Sequence, residues 1–379
     1  MSIFPVIKLS NPLKNAQFSA FLDYARAVAA IMVCLAHTRN LLFPDFSKNL
    51  NLGPISKAFY FFTLFGTQAV VVFFVISGLL IGGLLLSRMY ESRAFRYGEY
   101  MIARIVRLGV VLYPALALSF ILQILSLTKS CQHTDSLYTF VSNILFLQNI
   151  SAAPVCNDHP LWSLSNEMFY YITAPIVIWS LISAVRRTGR DRIVALVLLI
   201  ISAAVVALDM ATTTFQEGSI GFGYLIWLVG LLPFLVRLDM RWWWGFGAFC
   251  MVLIASRIGV LGGEYTTGFA LAITFCLTLM MRFPTTQPGR LYAAIGKGFA
   301  SFSYSLYLVH MPLAELAKKL LGAQLNPSRP LSYLIYAAVV LVIMAVAWGF
   351  GAALESQTVR ARQWLLSLFS ARVERRDVV

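Results

Sequence analysis

Ten stretches of this chain are apolar over about the length a helix needs to cross a bilayer, and no single soluble domain hides ten of them. They run over about 20–42, 68–87, 108–127, 162–185, 193–210, 220–236, 242–260, 266–283, 299–321 and 331–353. Composition agrees: 59% of residues are hydrophobic and 12% charged, against about 25% charged in soluble domains. Several stretches contain Gly or Pro, which membrane helices tolerate when neighbours re-satisfy the freed backbone groups. No inverted repeat of the transporter kind, low-complexity tract or long linker divides the sequence. The expected fold class is all-α, a polytopic membrane helix bundle of about ten transmembrane helices. It is expected to be a single membrane-embedded domain over 1–379, with a core at about 20–353 and a tail at about 354–379.

The net charge of +14 could suggest nucleic acid, but its distribution points to membrane topology. With the N-terminus inside, 22 of the 30 Lys and Arg residues fall on the inner side, as the positive-inside rule requires. Arg88, Arg93, Arg96, Arg104 and Arg107 form one inner group, followed by Arg186, Arg187, Arg190 and Arg192. Both termini are therefore expected in the cytoplasm, with membrane lipids as partners and no nucleic acid. Residues 1–19 lack the continuous apolar core of a cleaved signal peptide, so the first span is expected to be retained.

Of the five cysteines, Cys34, Cys250 and Cys276 lie in spans as packing residues. Cys131 and Cys156 fall in the outer segment 128–161, where an oxidising compartment permits a disulfide; two separate thiols fit the sequence equally. No CxxC or His/Cys cluster indicates a metal. Residues 138–150 are apolar but too short to cross, which suggests a re-entrant or interfacial helix.

Ionisable side chains inside spans cost at least ~2.5 kcal/mol each at the helix centre, so they are the first place to look for function. In the first span, Arg26 and His37 are eleven residues apart. At about 100° per residue they share one face and stand about 16 Å apart along the axis. Asp23 lies three residues before Arg26 and can pair with it. A neutral imidazole suits a general base; Arg26 snorkelling and a structural histidine fit the spacing as well. In the basic loop expected over 88–107, Arg104 and Arg107 share a face at the inner mouth. They suit a phosphorylated ligand or lipid headgroups. Glu167, flanked by Ser163, Ser165 and Tyr170, enters the fourth span from outside. It could orient a histidine or hold a sugar hydroxyl, or simply face water. His310 lies inside the ninth span just before Pro312, near Tyr304 and Tyr307.

Five short segments in order carry a resemblance. They are LDYARAVAA (22–30) with His37, FFVISGLLI (73–81), YMIARIVRL (100–108), LWSLSNE (161–167) and SYSLYLVH (303–310). Together they resemble the acyltransferase 3 family of integral membrane O-acyltransferases, whose Arg-x10-His pattern Arg26 and His37 satisfy. The basic segment departs from the usual paired arginines followed by proline: Ala103 precedes Arg104, and the proline is delayed to Pro114. Met168 stands where a second glutamate is common.

The resemblance implies a ten-helix enzyme that draws an acyl group, usually acetyl, from cytoplasmic acyl-CoA. It delivers the group to a hydroxyl of a cell-surface or exported saccharide, at the bacterial inner membrane. By position, His37, Arg26 and Glu167 are the expected catalytic set, and Arg104 and Arg107 contact the CoA phosphates. Asp23, Ser163 and His310 are expected on the substrate side, with acetyl-CoA as donor and no metal. His37 would act as base or acyl carrier. Arg26 would orient the thioester or stabilise the charge developing on its oxygen. Glycan specificity would come from the membrane domain and its outer loops. A transporter or flippase of a glycan or small anion is the rival reading, since buried Arg, His and Glu would serve it too. A non-catalytic partner of a glycan assembly system is a third.

Overall fold

The computed structural model describes residues 9–46, 52–128, 137–155, 158–213 and 218–376; Cys131 and Cys156, with their expected disulfide, lie outside these. Among the described residues there is no strand, and the chain forms sixteen α-helical segments. These are α1 (Ala16–Leu42), α2 (Pro54–Phe62), α3 (Gly66–Ser77), α4 (Leu84–Tyr90), α5 (Tyr97–Ile124), α6 (Leu137–Ile144), α7 (Trp162–Arg186) and α8 (Gly189–Thr212). Then come α9 (Ile220–Val229), α10 (Leu232–Leu235), α11 (Trp242–Ala255), α12 (Glu264–Met280), α13 (Arg290–Ala300), α14 (Ser303–Leu321), α15 (Pro330–Leu354) and α16 (Thr358–Arg376). A π-helical turn, Gly78–Gly83, joins α3 to α4.

Six helical stretches are long and apolar enough to cross a membrane: 16–42, 54–90, 97–124, 159–186, 189–212 and 330–368. Three shorter apolar stretches, 220–235, 242–255 and 264–280, accompany them. α14 is long enough but carries Glu315, Lys318 and Lys319. The apolar side chains of α8 are almost all uncovered; Ile193, Ile200 and Leu208 are each more than 60% exposed. An apolar surface of that length is stable only against lipid.

Local backbone chemistry moves several expected boundaries. The segment 138–150 is helical only over Leu137–Ile144. Phe146 adopts a left-handed φ of 59°, and the Leu147 and Phe146 amides donate to the Ser142 and Asn143 carbonyls, at 2.8 and 3.3 Å. That paired closure is a Schellman cap, which ends the helix. The same closure at Ser92 and Ser126 ends α4 and α5. The basic stretch 88–107 is not one loop: α5 begins at Tyr97, so Arg104 and Arg107 stand within a helix. The expected tail is largely the helix α16, which packs along α5.

The chain divides into two compact units. The first comprises Met1–Ala29, Thr67–Phe95 and Phe169–Lys297; the second comprises Ala30–Gly66, Arg96–Met168 and Gly298–Val379. α1 and α7 each run through both.

In the first unit the FFVISGLLI segment packs against α9. The buried Trp227 donates its indole N–H to Ser77 Oγ at 3.1 Å, and Ser77 Oγ lies 3.4 Å from the Tyr171 hydroxyl. A Cβ on Gly78 would stand 1.8 Å from the Trp227 carbonyl oxygen. A backbone atom cannot swing aside as a side chain does, so Gly78→Ala must part the two helices. We expect a loss of about 3 kcal/mol, the upper end of overpacking costs, read as a lowered Tm in detergent. Unchanged Tm would mean that the approach of α9 to the π-helical turn is looser than this.

In the second unit α14 packs against α5 and α15. Tyr304 donates its hydroxyl to the Leu108 carbonyl at 2.9 Å. Tyr336 donates to Leu35 O at 2.8 Å, tying α15 to the C-terminal half of α1. Leu42, Phe43, Tyr60, Leu325, Tyr336 and Val340 form a buried cluster beside that end.

Candidate active site

His37 and His310, 273 residues apart in sequence, meet in the second unit. Their rings stack with centroids 5.1 Å apart and planes 10° from parallel, and His37 Nδ1 lies 2.8 Å from His310 Nε2. His310 is fully buried, whereas His37 keeps partial exposure.

The partners assign the protons. His310 Nδ1 lies 2.7 Å from the Tyr307 carbonyl oxygen and 3.1 Å from that of Leu306. A carbonyl only accepts, so His310 Nδ1 carries hydrogen and donates. In the neutral imidazole the other nitrogen is then an acceptor, so His310 Nε2 receives the N–H of His37 Nδ1. That leaves the lone pair of His37 on Nε2. Fixing the basic nitrogen of one imidazole through the other is the arrangement a general base needs.

The scaffold behind the pair begins at Ser163. Its Oγ lies 2.7 Å from the Tyr307 hydroxyl, and both hydroxyls are in reach of the Pro160 carbonyl, at 3.2 and 3.0 Å. Tyr307 in turn lies beside His310, with ring centroids 5.9 Å apart and planes tilted by 54°. Ser163 therefore holds the turn of α14 that presents His310. Glu167, partly exposed on α7, acts electrostatically on both Tyr304 and Tyr307. Outside the spans, Asp158 is fully buried, with Oδ2 3.5 Å from the donating Ser119 hydroxyl. Burial pushes its carboxyl well above the ordinary carboxylate range.

The basic positions differ from one another. Arg107 Nη1 pairs with Glu355 Oε2 at 3.4 Å and its guanidinium lies over the Tyr304 ring, 5.6 Å from the centroid. Glu355 Oε1 also accepts from the Ser305 hydroxyl at 2.8 Å. Arg104 lies over the Tyr100 ring at 5.7 Å. Glu355 escaped sequence reasoning; its signal was being the first acid after the last span. Arg39, near the C-terminal end of α1, is buried with its guanidinium 5.1 Å from the centre of the Tyr60 ring.

In the first unit, Arg26 and Asp23 are both partly exposed on α1. Asp23 feels the charges of Arg26 and of Lys297. Next to them Tyr24 stacks on Tyr292 with centroids 4.5 Å apart, and its hydroxyl donates to the Tyr292 carbonyl. Among the described residues no group of His, Cys, Asp and Glu is arranged to hold a metal ion.

Long uncovered apolar helices and an imidazole pair with one ring fully buried define a multi-pass membrane protein with the parts for proton transfer. The model of one acyltransferase domain matches residues 19–349, nearly the whole chain. The chain belongs to the acyltransferase 3 family, and membership implies acyltransferase activity. No curated protein and no solved structure matches it.

Proposed function

We propose that this protein is a membrane O-acyltransferase that moves an acetyl group from acetyl-CoA to a hydroxyl of a cell-surface or exported saccharide. The observation that carries the reading is the tautomer chain that leaves the lone pair on His37 Nε2, in a chain of an acyltransferase family. His37 Nε2 takes the proton of the acceptor hydroxyl as that oxygen attacks the thioester carbonyl carbon. The carbon–sulfur bond breaks, and the imidazolium returns the proton to the departing thiolate.

His310 fixes the His37 tautomer and is a positioning residue; Ser163 acts through Tyr307 in the same way. Arg26 stands eleven residues before His37 on one helix, about 16 Å along the axis. An oxyanion donor must approach to about 3 Å, so Arg26 is better suited to holding the donor than to stabilising the reacting oxygen, and Asp23 orients it. Arg104 and Arg107 take the CoA phosphates on the inner side, and Glu167 holds the acceptor. Ten spans, both termini in the cytoplasm and one membrane domain complete the reading. The six long apolar stretches support this count, which takes the three shorter ones and α14 as spans too.

The test combines two measurements. Purified protein in lipid nanodiscs should release free CoA thiol from acetyl-CoA only when the host's saccharide fraction is present. Mass spectrometry of the host's surface glycans should lose one acetyl per repeat on deletion of the gene. Glycans of unchanged mass, with no thiol released, would sink the reading and favour a transporter.

A further inference from the structure

At one end of the first unit the start of α1, the connection after α10 and the connection after α12 converge. Ser10 N donates to Phe234 O, Leu238 N to Met280 O, and Arg282 N to Met240 O, at 3.0, 2.9 and 2.7 Å. Between them lies a cavity of about 330 Å³, lined by Phe18, Met280, Met281 and Phe283 together with Arg237 and Arg282. That volume is at the lower end of small-ligand sites.

Its charge is unbalanced. Arg237 is exposed but anchored: it donates to the Leu279 carbonyl at 3.3 Å and lies over the Phe18 ring, 5.8 Å from the centroid. Among the described residues no carboxylate pairs with it. Partial desolvation pulls its pKa down from the ordinary arginine value. Arg282 meets Asp239, the one acid of the lining, at 3.4 Å, but both side chains are largely exposed. An exposed pair of this kind is weak and yields readily to a competing anion.

Its depth is marked by tryptophans. Trp242, Trp243 and Trp244 open α11, and Trp243 and Trp244 are exposed. Trp242 stacks on the cavity-lining Phe283 with centroids 5.5 Å apart and planes 12° apart. Arg241 lies 4.6 Å over the Trp243 ring. Exposed Trp beside Arg is the composition of the headgroup layer.

We propose that this cavity is a binding site for the phosphate of an anionic phospholipid. Arg237 and Arg282 hold the headgroup, and the Phe and Met side chains meet the glycerol and upper acyl chain. Basic pockets among the ends of membrane helices suit such headgroups. The apolar lining separates this ligand from a soluble phosphate, which offers nothing to bury there. The site does not depend on the reaction the protein performs.

The experiment places the full-length protein in nanodiscs of phosphatidylcholine and phosphatidylglycerol at three to one and counts retained lipids by native mass spectrometry. Wild type should retain phosphatidylglycerol. The double variant Arg237→Gln, Arg282→Gln should retain at least fivefold less, with phosphatidylcholine unchanged. Arg237→Lys, which keeps the charge, should restore at least half of the difference in an Arg282 background. Equal retention in wild type and double variant overturns the site. Loss with Arg237→Lys as severe as with Arg237→Gln overturns it too, because the arginine would then be structural. Displacement of the lipid by millimolar inorganic phosphate or 3′,5′-ADP would assign the cavity to a soluble anion instead.

Discussion

His37→Ala, inserted in the membrane at the wild-type level and with wild-type Tm, should lower acyl transfer by about 10³-fold or more. General-base catalysis is worth about 10²–10⁴-fold, and the lone pair on His37 Nε2 is the only one the imidazole pair leaves unused. The donor should still bind, so the loss should fall on kcat and leave the KM for acetyl-CoA within about threefold. A His37→Ala protein that acetylates its glycan at more than a tenth of the wild-type rate would remove His37 from the chemistry.

His310→Ala should cost about 10²-fold in kcat, the upper range for groups that orient a histidine from behind. As a positioning residue, His310 should act through the N–H of His37 Nδ1, which meets its Nε2 at 2.8 Å. Two readouts separate this from a packing defect. His310→Gln supplies an amide oxygen that accepts the same hydrogen bond, and should recover at least tenfold over His310→Ala. The acid limb of the pH–rate profile should shift in His310→Ala, because the protonated His37 has lost its partner. If Ala and Gln at this position lose the same amount and the profile stays put, His310 is a packing residue.

Much of this molecule is legible in one dimension. Apolar runs of bilayer length give the helices, because a lipid-exposed backbone must satisfy its own hydrogen bonds and a helix does so within its own segment. Helix periodicity puts Arg26 and His37 on one face of α1. The ordered short motifs point to the family that the domain match over 19–349 shows.

Helix ends were less legible. The closures after α4, α5 and α6 use Ser92, Ser126 and Phe146 in left-handed conformations. Glycine is the usual residue there, so no punctuation in the sequence marks those ends.

Partner choice was settled only by the tertiary structure. His310 reads from sequence as a lone polar group within an apolar span. Its meeting with His37 depends on how α14 lies against α1, across 273 residues of intervening chain. Arg107 reads as a cation at an inner mouth, and its 3.4 Å contact with Glu355 depends on where the junction of α15 and α16 turns, 248 residues away. The physical reason is the same in both cases. Local sequence dictates which backbone groups pair and which face of a helix is polar. The angle and register at which two faces meet come from side chains contributed by distant segments. Sequence thus placed a histidine on the face of α1, and packing decided which of its nitrogens holds the lone pair.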